Sequence, residues 1–118
     1  MLSFSGSLKV FVAVEPCDMR KGFNGLHALA SERLGEGPRQ GALFVFTNRR
    51  RNRLKILYFD GTGLWVMSQR LEQGTFSWPK AVEPGTPKLA IRPEALALLT
   101  DGVDLKGAQL RPWYGREN

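Results

Sequence analysis

The chain has 118 residues, with 17 Lys+Arg against 11 Asp+Glu and a formal net charge of +6, which suits one basic domain. At 42% hydrophobic and 24% charged it is too apolar for a disordered chain, and one cysteine excludes an internal disulfide and most zinc frameworks. No apolar run approaches the ~20 residues of a membrane span, and Met1 to Ser7 lacks the basic and apolar regions of a signal peptide, so a soluble cytoplasmic protein is expected.

Leu8 to Val14 (LKVFVAV) is rich in Val and Phe and reads as a strand that Pro16 ends. Asp18 is placed to cap a helix. Met19, Phe23, Leu26, Ala30 and Leu34 then recur at helical spacing, which predicts an amphipathic helix over 19–34 with Gly35 as its stop. Gly22 and Gly25 each weaken that helix by ~1 kcal/mol relative to Ala, which points to a close approach to its backbone. Ala42 to Thr47, Leu54 to Phe59 and Leu64 to Leu71 read as three strands. The connection between the first two is Asn48-Arg49-Arg50-Arg51-Asn52-Arg53, and the turn between the last two is Asp60-Gly61-Thr62-Gly63.

An aromatic segment, Phe76-Ser77-Trp78-Pro79, follows. Leu89 to Ile91 is placed to pair on the sheet edge, and Pro93 opens a last helix carrying Leu96, Leu99 and Val103, with Gly102 near its stop. Lys106 to Asn118 has no period. The reading is an α+β fold: an antiparallel sheet made of the 42–71 meander plus the N-terminal strand, the helix 19–34 packed on it, and a short C-terminal helix. The domain is expected over 1–105, with a mobile tail over 106–118.

The charge is concentrated in one loop. Arg49, Arg50, Arg51, Arg53 and Lys55 put five cations in seven residues, with no acidic neighbour before Asp60. A hairpin tip holds such side chains in solvent, and the planar arginine fork matches phosphate oxygens two at a time. Nucleic acid, and DNA first, is therefore the expected partner; the alternative is a solvated loop that keeps the protein soluble. Arg20, Lys21 and Asn24, with His27 and Ser31, form a polar helix stripe that could add a secondary surface or be ordinary solvent face. Trp113 and Tyr114 lie in the expected tail beside Arg111 and Arg116 and are candidates for anchoring a protein partner. The remaining aromatics are read mainly as core.

Catalysis has little support. One Cys and one His cannot supply three or four N/S metal ligands. Cys17 stands just before the expected helix start, which would lower its pKa, but no orienting group accompanies His27, and Cys17 is read as a small apolar residue. Asp101 and Asp104 leave no carboxylate cluster for paired Mg²⁺ ions, and no phosphate-binding glycine loop is present. No catalytic residue, cofactor, metal, small-molecule substrate or membrane partner is expected.

Three ordered blocks carry a resemblance. Residues 16–26 (PCDMRKGFNGL) resemble a P-x-D-M-R-K-G-x-x-G-L signature. Residues 43–57, from Leu43-Phe44-Val45-Phe46 through Asn48-Arg49-Arg50 and Arg53 to Lys55 and Leu57, resemble an LFVF-x-N-R-R-x-x-R-x-K-x-L block. Asp60-Gly61-x-Gly63, and then Arg70-Leu71-Glu72 through Gly74, Phe76 and Trp78-Pro79, resemble DG-x-G and KRLE-x-G-x-F-x-WP. These belong to the small accessory proteins encoded by the second open reading frame of IS66-type insertion sequences, the TnpB transposition helpers that are distinct from the RNA-guided nuclease of that name. The resemblance spans about residues 8–104. Cys17 departs from it, standing where the family usually has Thr or Val. What the resemblance implies is a bacterial mobile-element protein that works beside a separate transposase and is not an enzyme. Three functions follow in order: a DNA-binding accessory protein of transposition, a module docking on the transposase without touching DNA, and a single-stranded RNA binder.

Overall fold

The computed structural model describes residues 8–37, 39, 41–81 and 83–101. The first strand forms as β1 (Lys9–Ala13), and every side chain in it except Lys9 is buried. A strand buried on both faces needs a layer on each side of its sheet. Those layers come from α1 (Phe23–Ala28), which runs on through a π-helical turn at Leu29–Arg33, and from α2 (Pro93–Thr100). The other strands are β2 (Ala42–Thr47), β3 (Arg53–Phe59), β4 (Leu64–Arg70) and β5 (Lys88–Ile91), and the sheet order is β4-β3-β2-β1-β5.

The meander β2-β3-β4 is antiparallel, as its turns require, and β5 pairs antiparallel with β1 at the sheet edge. The N-terminal strand differs from expectation: β1 and β2 run parallel, Lys9 facing Ala42 and Val12 facing Val45. The cause is the helix between them. It carries the chain back to the end of the sheet where β1 began, so β2 starts in the same direction.

Alternation along the central strands splits the core in two. Val10, Val12, Leu43, Val45, Leu54 and Ile56 face Ala95 and Leu99 of α2, with Phe76 and Trp78 completing that side. Phe11, Phe44, Phe46 and Leu57 face Leu26, Ala30 and Leu34 from the α1 region. Phe11 and Phe44 stack there with centroids 5.6 Å apart. The indole Nε1–H of Trp78 donates to the Ala13 carbonyl at 2.9 Å, so burying the ring leaves its polar atom paired.

Helix α1 starts four residues later than the apolar spacing predicts. Asp18 does not cap it. Its Oδ1 instead accepts the backbone N–H of Arg20 at 2.8 Å, a local turn that competes with helix. Gly22 stands at the N-cap with no side-chain hydrogen bond. Phe23, read as core, is 52% exposed, while Leu26, Ala30 and Leu34 are buried as expected. The close approach expected at the glycines is real at Gly25, where a Cβ would sit 3.0 Å from the Lys21 side chain, but nothing crowds Gly22. Gly35 does turn the chain at φ +71°, and the N–H of Glu36 reaches back to the Ala30 carbonyl at 2.9 Å. Pro93 occupies the first turn of α2. Gly102, Val103 and the 106–118 segment lie outside the described residues.

Candidate nucleic-acid interface

The arginine loop closes on an asparagine. Asn48 Oδ1 accepts the N–H of Asn52 and of Arg53, each at 3.1 Å, and its Nδ2 donates to Asn52 Oδ1 at 2.8 Å. The buried Thr47 hydroxyl donates to the Arg53 carbonyl at 2.8 Å. Arg51 takes the left-handed conformation, φ +59°, and its N–H donates to the Asn48 carbonyl at 3.1 Å. The segment after β4 holds the loop from behind: Phe76 N–H donates to the Arg51 carbonyl at 2.7 Å, and Leu71 N–H to the Asn52 carbonyl at 2.8 Å. These bonds frame the loop at both ends and behind.

The side chains are left over from this framing. Arg49, Arg50 and Arg53 are exposed and Arg51 is half-buried. Among the described residues, none of the four has a carboxylate within salt-bridge distance. Lys55 is different. Its Nζ donates to the Lys21 carbonyl at 2.8 Å, tying the 18–22 segment to β3.

Arg20 and Lys21 precede α1 and its N-cap Gly22 instead of lying in its first turn. The Arg20 guanidinium pairs with Asp18 at 2.7 Å. That hydrogen-bonded pairing raises the Arg20 pKa and brings the Asp18 carboxyl down to about 2. Asn24 is exposed on α1 beside His27. The fold gathers Arg20, Arg50 and Arg53 around a polar cleft of about 380 Å³ with Asn48 and Asn52, but not Asn24. It adds Arg70, which sequence reasoning missed. Arg70 lies directly opposite Arg53 in the β3–β4 register, and counting residues outward from the Asp60-Gly61 turn would have found it. Trp113 and Tyr114 lie outside the described residues.

Cys17 is not at a helix start. It is half-buried behind the loop, its N–H donating to the Thr47 carbonyl at 2.9 Å, and burial pushes its thiol pKa up against the opposing pull of Lys21. Among the described residues no three His, Cys, Asp or Glu side chains group to hold a metal, and no helix is long and apolar enough to cross a membrane. Trp65, read with the strand aromatics as core, is 42% exposed; its indole N–H donates to Asp60 at 2.7 Å.

Comparison with known proteins gives one family. Residues 8–110 match the family described as IS66 Orf2 like protein. Two proteins of Sinorhizobium fredii (strain NBRC 101917 / NGR234) are similar along nearly their whole lengths. Uncharacterized protein y4jC is 38% identical over 112 residues, 95% of this chain and 93% of its own. Uncharacterized protein y4hO is 38% identical over 109 residues, 92% of each. No solved structure matches.

Proposed function

The chain belongs to the IS66 Orf2 like protein family, the accessory proteins of IS66-type insertion sequences, and from that membership we propose that it serves transposition by binding DNA, without catalysis of its own. The observation that carries this reading is the state of the arginine loop: a hairpin held by the Asn48 side chain, with Arg49, Arg50 and Arg53 exposed, Arg51 half-buried, and no carboxylate within salt-bridge distance of any of them among the described residues. Free guanidinium groups on a fixed frame can each take a backbone phosphate, releasing condensed counterions. Four such contacts give a slope of roughly −4 for log affinity against log salt. The test is a fluorescence-anisotropy titration of the full chain with element-end duplex, random duplex and single-stranded RNA at several salt concentrations. Replacing Arg49, Arg50 and Arg51 together with Ala is expected to weaken duplex binding and flatten the slope toward about −1. Unchanged affinity at low salt rejects the reading, and preference for the RNA moves the protein to another class of partner.

A second reading, docking on the transposase of the same element, is favoured by Phe23, a large apolar side chain 52% exposed at the start of α1 next to Asn24. Capture of the transposase in nuclease-treated extract, lost on Phe23→Ser, supports it. Capture that survives this change removes α1 as the docking surface.

A further inference from the structure

The sheet face beside the hairpin carries a second basic feature. Arg53 and Arg70 stand directly opposite one another on β3 and β4. The bonds Leu71 N–H to Asn52 carbonyl and Asp60 N–H to Gly63 carbonyl close the two ends of this ladder. Counting from either end makes Arg53–Arg70 a non-hydrogen-bonded pair, the spacing at which facing side chains are closest. Like charges so placed oppose folding.

Little on the protein offsets that repulsion. Arg70 has one carboxylate contact, to Glu72 at 3.3 Å, and the two side chains are 60% and 81% exposed. Such a pair contributes little in water. Arg53 has no carboxylate within salt-bridge distance among the described residues. The neighbouring pair on the same face is Lys55 opposite Ser68, and the Lys55 ammonium is occupied by the Lys21 carbonyl. This end of the face is open because α1 begins only at Phe23. Two depressions result, of about 380 and 500 Å³, which share Met19, Arg53 and Arg70; Arg50 and Asn52 border the first together with Asp18, whose charge is paired with Arg20, and Glu72 borders the second.

We infer that Arg53 and Arg70 together seat one phosphodiester of a DNA strand on the β3–β4 face, beside the phosphates taken by the hairpin tip. The inference rests on the DNA-binding reading and deepens it. A phosphate between two guanidinium forks accepts hydrogen bonds from both and turns their repulsion into a shared attraction. Met19 gives the seat an apolar wall, and the Lys55–Lys21 bond holds that wall in place. The strand pairing fixes the two Cα positions before binding, so only the side-chain rotamers of Arg53 and Arg70 are ordered on contact.

The signature is that the pair works against the free protein and for the complex. Arg70→Gln and Arg53→Gln are compared with the tip variant Arg49→Ala/Arg51→Ala in the full chain, by duplex-DNA anisotropy across salt and by thermal melting without DNA. Each Gln variant is expected to melt at or above the wild-type temperature, to bind DNA about tenfold more weakly at low salt, and to lower the salt slope by roughly one. Arg70→Lys keeps the charge without the fork, and is expected to restore the slope but not the full affinity. Inorganic phosphate is expected to raise the melting temperature of the wild type more than that of Arg70→Gln; equal shifts overturn the seat. If the tip variant loses DNA while both Gln variants bind like wild type, the seat is overturned and the hairpin reading stands. If no variant changes binding, both fall. Gln variants that melt several degrees below wild type mark Arg53 and Arg70 as structural and also overturn the seat.

Discussion

Strand β3 is bounded by two turns that solve one backbone problem with different chemistry. At 60–63, Asp60 Oδ1 accepts the N–H of Thr62 and of Gly63, each at 2.8 Å, and the Thr62 hydroxyl at 2.9 Å, while Oδ2 takes the Trp65 indole. At 48–52 the side-chain Oδ1 of Asn48 accepts two N–H groups in the same manner. A side-chain oxygen aimed at the following amides is what each turn needs, and Asp or Asn can supply it. At position 48, however, a carboxylate would sit among Arg49, Arg50 and Arg53 and neutralise part of their charge. The carboxamide does the backbone work without a charge. One turn is thus closed upon itself electrostatically, and the other keeps its cations available.

The largest expected effect separates the turns by their support. The 48–52 loop leans on the 71–76 segment through the Phe76 N–H, and the Phe76 ring is buried against Trp78 at 6.4 Å between centroids. No such bond reaches the 60–63 turn from another segment among those described. Phe76→Ala is expected to cost about 3–5 kcal/mol in urea denaturation. In hydrogen exchange it should deprotect the amides of Arg51 to Arg53 more than those of Thr62 and Gly63. Equal loss at both turns would show that the loop does not depend on this anchor.

Next in size is the acceptor itself. Asn48→Ala leaves the N–H groups of Asn52 and Arg53 without their partner, a cost of about 1–3 kcal/mol by denaturation. Asn48→Asp restores the acceptor and is expected to recover most of that stability, yet to bind DNA more weakly than wild type because it places an anion in the loop. If Asn48→Asp binds DNA as tightly as wild type, the contrast between the turns carries no functional meaning.

How much of this was legible in the chain depends on how local the cause is. The meander follows from strand composition and the Asp60-Gly61 turn, and the open arginines follow from their crowding between two apolar strands. The parallel β1–β2 pairing is not written in either strand. It depends on where α1 sets the chain down. The start of α1 was hidden because Met19 and Phe23 fit the helical period, while a two-residue contact, Asp18 to the Arg20 N–H, decides the outcome. Arg70 is invisible in a scan for charge runs, since only strand register brings it opposite Arg53. The diversion of Lys55 to the Lys21 carbonyl likewise arises from packing between distant segments.

The carboxylate turn gives the contrast a pH axis. Hydrogen bonds from the Trp65 indole, then from Thr62 and Gly63, hold the Asp60 carboxyl well below the usual aspartate range. A folded-state pKa below the unfolded one adds stability above the ordinary aspartate pKa, and that stability is lost as pH falls through the lowered value. Asp18, lowered to about 2 by Arg20, acts in the same acid window. Wild-type melting temperature is therefore expected to drop between about pH 4 and pH 2. In Asp60→Asn the drop should be shallower because the variant already melts lower at neutral pH, where the Trp65 indole N–H has lost its charged acceptor. An identical acid profile in the variant would show that the turn does not depend on the charge. The neutral Asn48 turn has no counterpart to this titration.

The smallest expected effect on stability is the most telling about use. Arg51 holds φ +59°, a conformation that costs an L-residue about 1–2 kcal/mol and that glycine adopts freely. Arg51→Gly removes that strain but widens the unfolded ensemble by about 0.4–1 kcal/mol, so the net change is expected to be a gain of between about 0 and 1.5 kcal/mol. On backbone grounds glycine would serve at this position as well as arginine. What the variant loses is one guanidinium from the loop, and duplex affinity measured across salt should fall with its slope reduced by roughly one. Full DNA affinity in Arg51→Gly would mean that the strained arginine is idle, and the case for phosphate contact would then rest on Arg49, Arg50 and Arg53 alone.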